Sequence, residues 1–86
     1  MGGRLSNYPN PFSSSTTIQY ELSESANITI EIYDVMGNRV TTIANELQYP
    51  GLHTQFVNAD NLNSGFYIIR MDAGDESFMQ KISVVK

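Results

Sequence analysis

The alternation Ile28-Thr29-Ile30-Glu31-Ile32-Tyr33 constrains this chain more than any other stretch. Successive side chains of a β-strand point to opposite faces, so this pattern aims a β-branched row at a core and its partners at water. Ile18, Tyr20 and Leu22 alternate in the same way with Thr17, Gln19 and Glu21, and Ser23–Asn27 supplies a turn between the two segments. Helical periodicity is missing throughout.

The rest of the chain repeats this grammar. Gly37-Asn38 sits where positive φ is cheap, and Arg39 to Ile43 reads as the returning strand of a hairpin, with Val40 and Ile43 as its apolar members. The segment 45–51 then reads as a turn around Pro50-Gly51. Leu52 to Val57 is a strand whose inner face is open, because Leu52, Thr54 and Phe56 compete with His53, Gln55 and Val57. A polar loop closed by Gly65 carries Leu62, which is expected to plug one end of the core. Phe66 to Met71 is apolar on both faces, as expected of a central strand covered on both sides. Phe78, Ile82 and Val84 share one parity in the last strand. Short strands about every 8–12 residues between Gly, Pro and Asn turns predict an all-β fold, an antiparallel sandwich of about six or seven strands.

Eighty-six residues support one domain. Residues 1–4 read as a start joined to an excised domain, and 5–86 as the domain itself. Nine acidic and five basic side chains give a net charge of −4, with the cations scattered. Nucleic acid is therefore not an expected partner, since phosphate binding needs a concentrated basic face. Cysteine is absent, which excludes a disulfide framework and thiolate metal sites. No apolar run approaches the roughly 20 residues of a membrane-spanning helix.

Chemistry is hard to find. His53 is the lone histidine and has no visible nucleophile or ligand set beside it in sequence, so it reads as a structural residue. The run Ser13–Thr17 lacks the elbow that activates a serine and reads as a strand lead-in and edge. Neither Asp72, Asp75 and Glu76 nor Asn58, Asp60 and Asn61 has the spacing of a calcium loop. No cofactor or metal is expected, and no catalytic residue is assigned.

Three stretches together resemble a known family. The leader "NYPNPFSSSTTIQYEL", the block "ITIEIYDVMGNRV" and the run "GLHTQFVNADNLNSGFYIIRM" are similar to successive motifs of the type A C-terminal sorting domains of type IX secretion, and "KISVVK" resembles their lysine-bearing last strand. The resemblance spans about Leu5 to Lys86. It implies an immunoglobulin-like sandwich without catalysis of its own, which directs an N-terminal cargo domain of a longer parent chain through the periplasm and the outer-membrane translocon. A sortase-like peptidase is implied as a further partner. Gln55 and Phe56 depart from the family pattern, being polar and apolar where relatives are the reverse.

The motif residues that the resemblance singles out are Pro9, Asn10, Pro11, Phe12, Tyr33, Asp34, Gly37, Leu62, Gly65 and Tyr67, mainly in structural roles. Pro9 and Pro11 fix φ and bias the residues before them to extended conformations. Tyr8 and Phe12 are expected to cap an open end of the sandwich. Gly65 is expected to need positive φ or close backbone approach, and Tyr67 to pack its ring while its hydroxyl finds a partner. Lys81 and Lys86, on the exposed row of the last strand, are the candidate recognition residues, with edge protection as the plainer alternative. An immunoglobulin-like module of a flagellar hook-capping protein is the alternative reading of the whole chain. A carbohydrate-binding sandwich ranks below it, because no spaced aromatic row is visible. The expected state is a monomer, although exposed edges permit weak self-association of unspecified geometry.

Overall fold

The computed structural model describes residues 5–86; the expectation for residues 1–4 lies outside them. Seven strands follow in chain order: β1 (Ser6–Tyr8), β2 (Ser15–Leu22), β3 (Ala26–Asp34), β4 (Arg39–Gln48), β5 (Gly51–Asn58), β6 (Gly65–Ala73) and β7 (Glu76–Val84). They form two antiparallel sheets, β1-β2-β5 and β4-β3-β6-β7, which face one another as a sandwich. The fourth strand pairs with the third, whereas in the constant-type immunoglobulin arrangement it lies in the sheet of the first, second and fifth.

The inward rows are those that alternation marks. Ile28, Ile30 and Ile32 of β3 are fully buried, and they meet Ile18, Tyr20 and Leu22 of β2 in one core with Val57, Ile69, Met71, Ile82 and Val84. Apolar burial contributes about 25 cal/mol per Å², so this single cluster is the main stabilising term of a small domain. Within it, the Tyr20 hydroxyl donates to Gln48 Oε1 at 2.5 Å, which satisfies two buried polar groups at once.

Three expectations need correction. β4 does not end at Ile43 but runs to Gln48. Its register against β3 shifts twice, between Ile30 and Glu31 and between Ile32 and Tyr33, and these shifts change which parity faces inward. Ala44 and Gln48 are thus buried, while Val40 lies outside and Ile43 is half-buried. The outer face of β6 is also uncovered: Phe66 is exposed and Ile68 half-buried, so the central strand is closed on one face only. Finally, Tyr8 caps nothing, being 82% exposed on the outer face of β1, whereas Phe12 is 4% exposed in the core.

In β5 the competition resolves in favour of Val57, with His53 and Gln55 half-buried on the same side. The His53 ring stacks on Tyr20 at 5.5 Å between centroids, and its Nε2 lies 2.6 Å from the Tyr49 carbonyl oxygen. Leu52 and Phe56 consequently face water.

Candidate recognition surface

The leader crosses from one sheet to the other. β1 pairs with β2, and the chain then turns through Pro9 and Pro11, whose preceding peptide bonds are both cis, to lie against the edge of β7. There the Phe12 amide donates to the Ser83 carbonyl at 3.0 Å, and the Val85 amide donates to the Phe12 carbonyl at 2.9 Å. Asn10 extends this pairing with its side chain: Nδ2 donates to the Lys81 carbonyl at 3.1 Å, and Oδ1 accepts the Ser83 amide at 3.0 Å. Pro9 and Pro11 carry no N–H of their own, and the Pro9 carbonyl accepts from Thr16 Oγ1 at 2.7 Å. Thr16 is 1% exposed and in turn accepts from Asn7 Nδ2. Sequence reasoning missed this residue, taking Ser13–Thr17 as a plain edge; its parity with Ile18 and Tyr20 is the signal that marks it as inward.

The β3–β4 hairpin is closed by Asp34 and Gly37. Asp34 Oδ1 accepts the amides of Met36 and Asn38, both at 2.9 Å, and its own amide donates to the Asn38 carbonyl. Gly37 takes φ of 87°, a conformation that a Cβ disfavours even though open space surrounds it. At the same end of the sheet, where Asp34 pairs with Tyr67, Leu62 is buried and Tyr67 donates its hydroxyl to the Asn63 carbonyl at 2.8 Å. Gly65 begins β6 with φ of 149° and no atom within 4 Å of a built Cβ, so backbone conformation rather than close approach sets its identity.

The outer face of the four-stranded sheet gathers most of the described cations. Tyr33, Ile68 and Lys81 lie side by side across β3, β6 and β7, as do Glu31, Arg70 and Met79 one row along. Tyr33, Val35, Gly37, Ile68, Arg70 and Met79 line a shallow concavity of about 500 Å³. Glu31 accepts from the Tyr33 hydroxyl at 2.9 Å and from Arg39 at 3.1 Å. That hydrogen bond to the carboxylate raises the Tyr33 pKa above 10.0. Asp72 accepts from Ser77 at 2.6 Å and from Arg70 at 3.2 Å, and these donors, Ser77 foremost, outweigh partial burial to hold its pKa below 3.8. Lys81 Nζ stands 4.3 Å from the Phe66 ring centroid, a cation–π contact on an exposed face.

Lys86 is elsewhere. It follows β7, and its Nζ donates to the Ala59 carbonyl at 2.5 Å while its amide donates to Ser64 Oγ. The two lysines do not share one row: Lys81 stands on the outer face, and Lys86 closes the corner near Leu62 and Tyr67. Among the described residues, no three His, Cys, Asp or Glu side chains gather as metal ligands, and no helix is long and apolar enough to cross a membrane.

A search of curated proteins finds no match. A protein-family model, the secretion system C-terminal sorting domain, matches residues 6–85, nearly the entire chain. The chain therefore belongs to the C-terminal sorting domains of type IX secretion, which mark a protein for export through the periplasm to the cell surface or the medium.

Proposed function

We propose that this chain is a non-catalytic address label: it engages the outer-membrane translocon of type IX secretion and carries an N-terminal cargo domain of the same parent chain across. The observation that carries the reading is the family match over residues 6–85. It gives no support to the hook-cap alternative. Within the reading, the translocon contacts the exposed outer face around Lys81, and Lys86 contributes from the adjoining corner. In support, Lys81 stands exposed on a face where Arg39 and Arg70 are held in ion pairs by Glu31 and Asp72, in a chain whose net charge is −4. A sortase-like peptidase then separates cargo from label. Pro9, Asn10, Pro11, Phe12, Tyr33, Asp34, Gly37, Leu62, Gly65 and Tyr67 act by holding this surface in shape.

The test is fusion of residues 5–86 to a periplasmic reporter in a bacterium that has the machinery. The reporter is expected in the medium or on the surface. Retention in the periplasm, while an authentic signal of this class is exported beside it, sinks the proposal. Lys81→Glu is expected to reduce export with thermal unfolding nearly unchanged, and adding Lys86→Glu to reduce it further while lowering the unfolding temperature, because Lys86 also loses its hydrogen bond to the Ala59 carbonyl; normal export of the pair would remove the lysines from the recognition surface.

A further inference from the structure

Sheet edges expose unpaired N–H and C=O groups, and proteins guard them with short strands, bulges, charges or covering segments. β1 has three residues. β4 carries two register shifts and the charges of Arg39 and Glu46. β7 is covered in part by Asn10 and Phe12 and bears Lys81. β5 has none of these guards. It pairs with β2 through eight consecutive positions, Ser15↔Asn58 to Leu22↔Gly51, without a shift, and on its other side it is the end of its sheet. Its sequence, Gly-Leu-His-Thr-Gln-Phe-Val-Asn, contains no Asp, Glu, Lys, Arg or Pro. Leu52 and Phe56 stand exposed on its outer face.

The strand is also self-complementary. In an antiparallel pairing of two copies centred on Thr54, residue positions summing to 108 oppose one another. Leu52 then faces Phe56 of the second copy on the outer side, Thr54 faces Thr54, and half-buried His53 faces half-buried Gln55 on the inner side. Aromatic–aliphatic and Thr–Thr pairs are favourable cross-strand neighbours. No like charges meet along the strand, although the whole chain carries −4. The row Tyr8, Thr17 and Phe56, already aligned across β1, β2 and β5, would continue into Leu52 of the second copy.

We infer that the outer edge of β5 is a homotypic docking edge, at which two copies of this chain pair antiparallel about a two-fold axis at Thr54 and join their three-stranded sheets. One strand pair buries less than the roughly 1,200 Å² of stable complexes, so the dimer is weak and concentration-dependent. This gives the self-association that exposed edges permit a definite register, and it replaces the monomer expectation at high concentration.

The chain has no cysteine, so Thr54→Cys introduces a single thiol. Opposed Cα atoms of an antiparallel pair lie about 4.5–5.5 Å apart, inside the disulfide range. Mild oxidation of concentrated Thr54→Cys is expected to yield at least about tenfold more covalent dimer than Thr42→Cys on the exposed edge strand β4 or Met79→Cys on β7. Equal or greater cross-linking at either of those positions, or none at Thr54→Cys, overturns the inference. A readout free of thiols is sedimentation of the unaltered chain, whose weight-average mass is expected to rise with concentration, while Phe56→Lys, changed at an exposed position, stays at the monomer mass. A native chain that remains monomeric to about 1 mM, an affinity floor of about −4 kcal/mol, overturns it, as does undiminished association of Phe56→Lys.

Discussion

The side-chain amide of Asn10 accepts the backbone amide of Ser83 at 3.0 Å across 73 positions of sequence, and so stands in for a strand at the edge of β7. Its Nδ2 donates to the neighbouring Lys81 carbonyl. A single residue thereby supplies both hydrogen bonds that a paired backbone would give. Asn10→Ala is expected to destabilise the domain by about 1–2 kcal/mol, since two modest hydrogen bonds are lost at an exposed site. Hydrogen exchange locates the effect: the Ser83 amide should exchange faster, while the Val85 amide, bonded to Phe12, should change less.

Two aromatics of the leader should separate cleanly. Phe12→Leu keeps an apolar group but leaves part of a buried site empty and is expected to cost about 1–1.5 kcal/mol in denaturant unfolding. Tyr8→Ala, at an exposed site, should stay within about 0.5 kcal/mol of the parent. Equal losses would contradict the placement of the two rings.

Thr16→Val retains shape but removes the hydroxyl that donates to the Pro9 carbonyl. The expected cost is about 1–3 kcal/mol, because a part-buried acceptor loses its partner. Thr16→Ser, which keeps the hydroxyl, should lose less. Chemical denaturation of the two variants side by side distinguishes hydrogen bonding from packing.

Asp72 gives the acid side of the stability profile. Its folded pKa lies below its unfolded one, so folding favours the charged carboxylate. That stabilisation is complete above the ordinary value of 3.8 and is lost as pH falls through the depressed folded value. Ser77→Ala removes the leading cause and should return the carboxyl toward 3.8, which a carbon-detected NMR titration would read. The Tyr33 shift has the opposite sense: its raised pKa favours the protonated phenol in the fold, a contribution present below 10.0 and lost as pH rises through the folded value. Glu31→Gln should bring the Tyr33 titration back toward 10.0.

Strands with one clean apolar parity were legible in the sequence. The rows of Ile28, Ile30 and Ile32 and of Ile18, Tyr20 and Leu22 point inward as alternation demands. β4 was legible only to Ile43, because its register shifts break the period and its later residues are mostly exposed. β5 stayed ambiguous because apolar residues occupy both of its faces, and only pairing with β2 decides which are inward. The leader announced its stiffness through two prolines, but its destination did not show. Asn10 finds its partners more than 70 positions away, and local pattern carries no information about that meeting. The same holds for Lys81, whose neighbour Phe66 belongs to another strand.

The clamp of the leader on β7 has a mechanical side. The bridge between Phe12 and Val84 is parallel, unlike every ladder between the seven strands. A pull on the leader toward its beginning and on β7 toward its end therefore draws the two segments past one another along their length. The hydrogen bonds of Asn10 and Phe12 then bear tension together, in shear, instead of opening one at a time as a zipper would. Force entering through the leader meets the pairing of β1 with β2 first and then this joint.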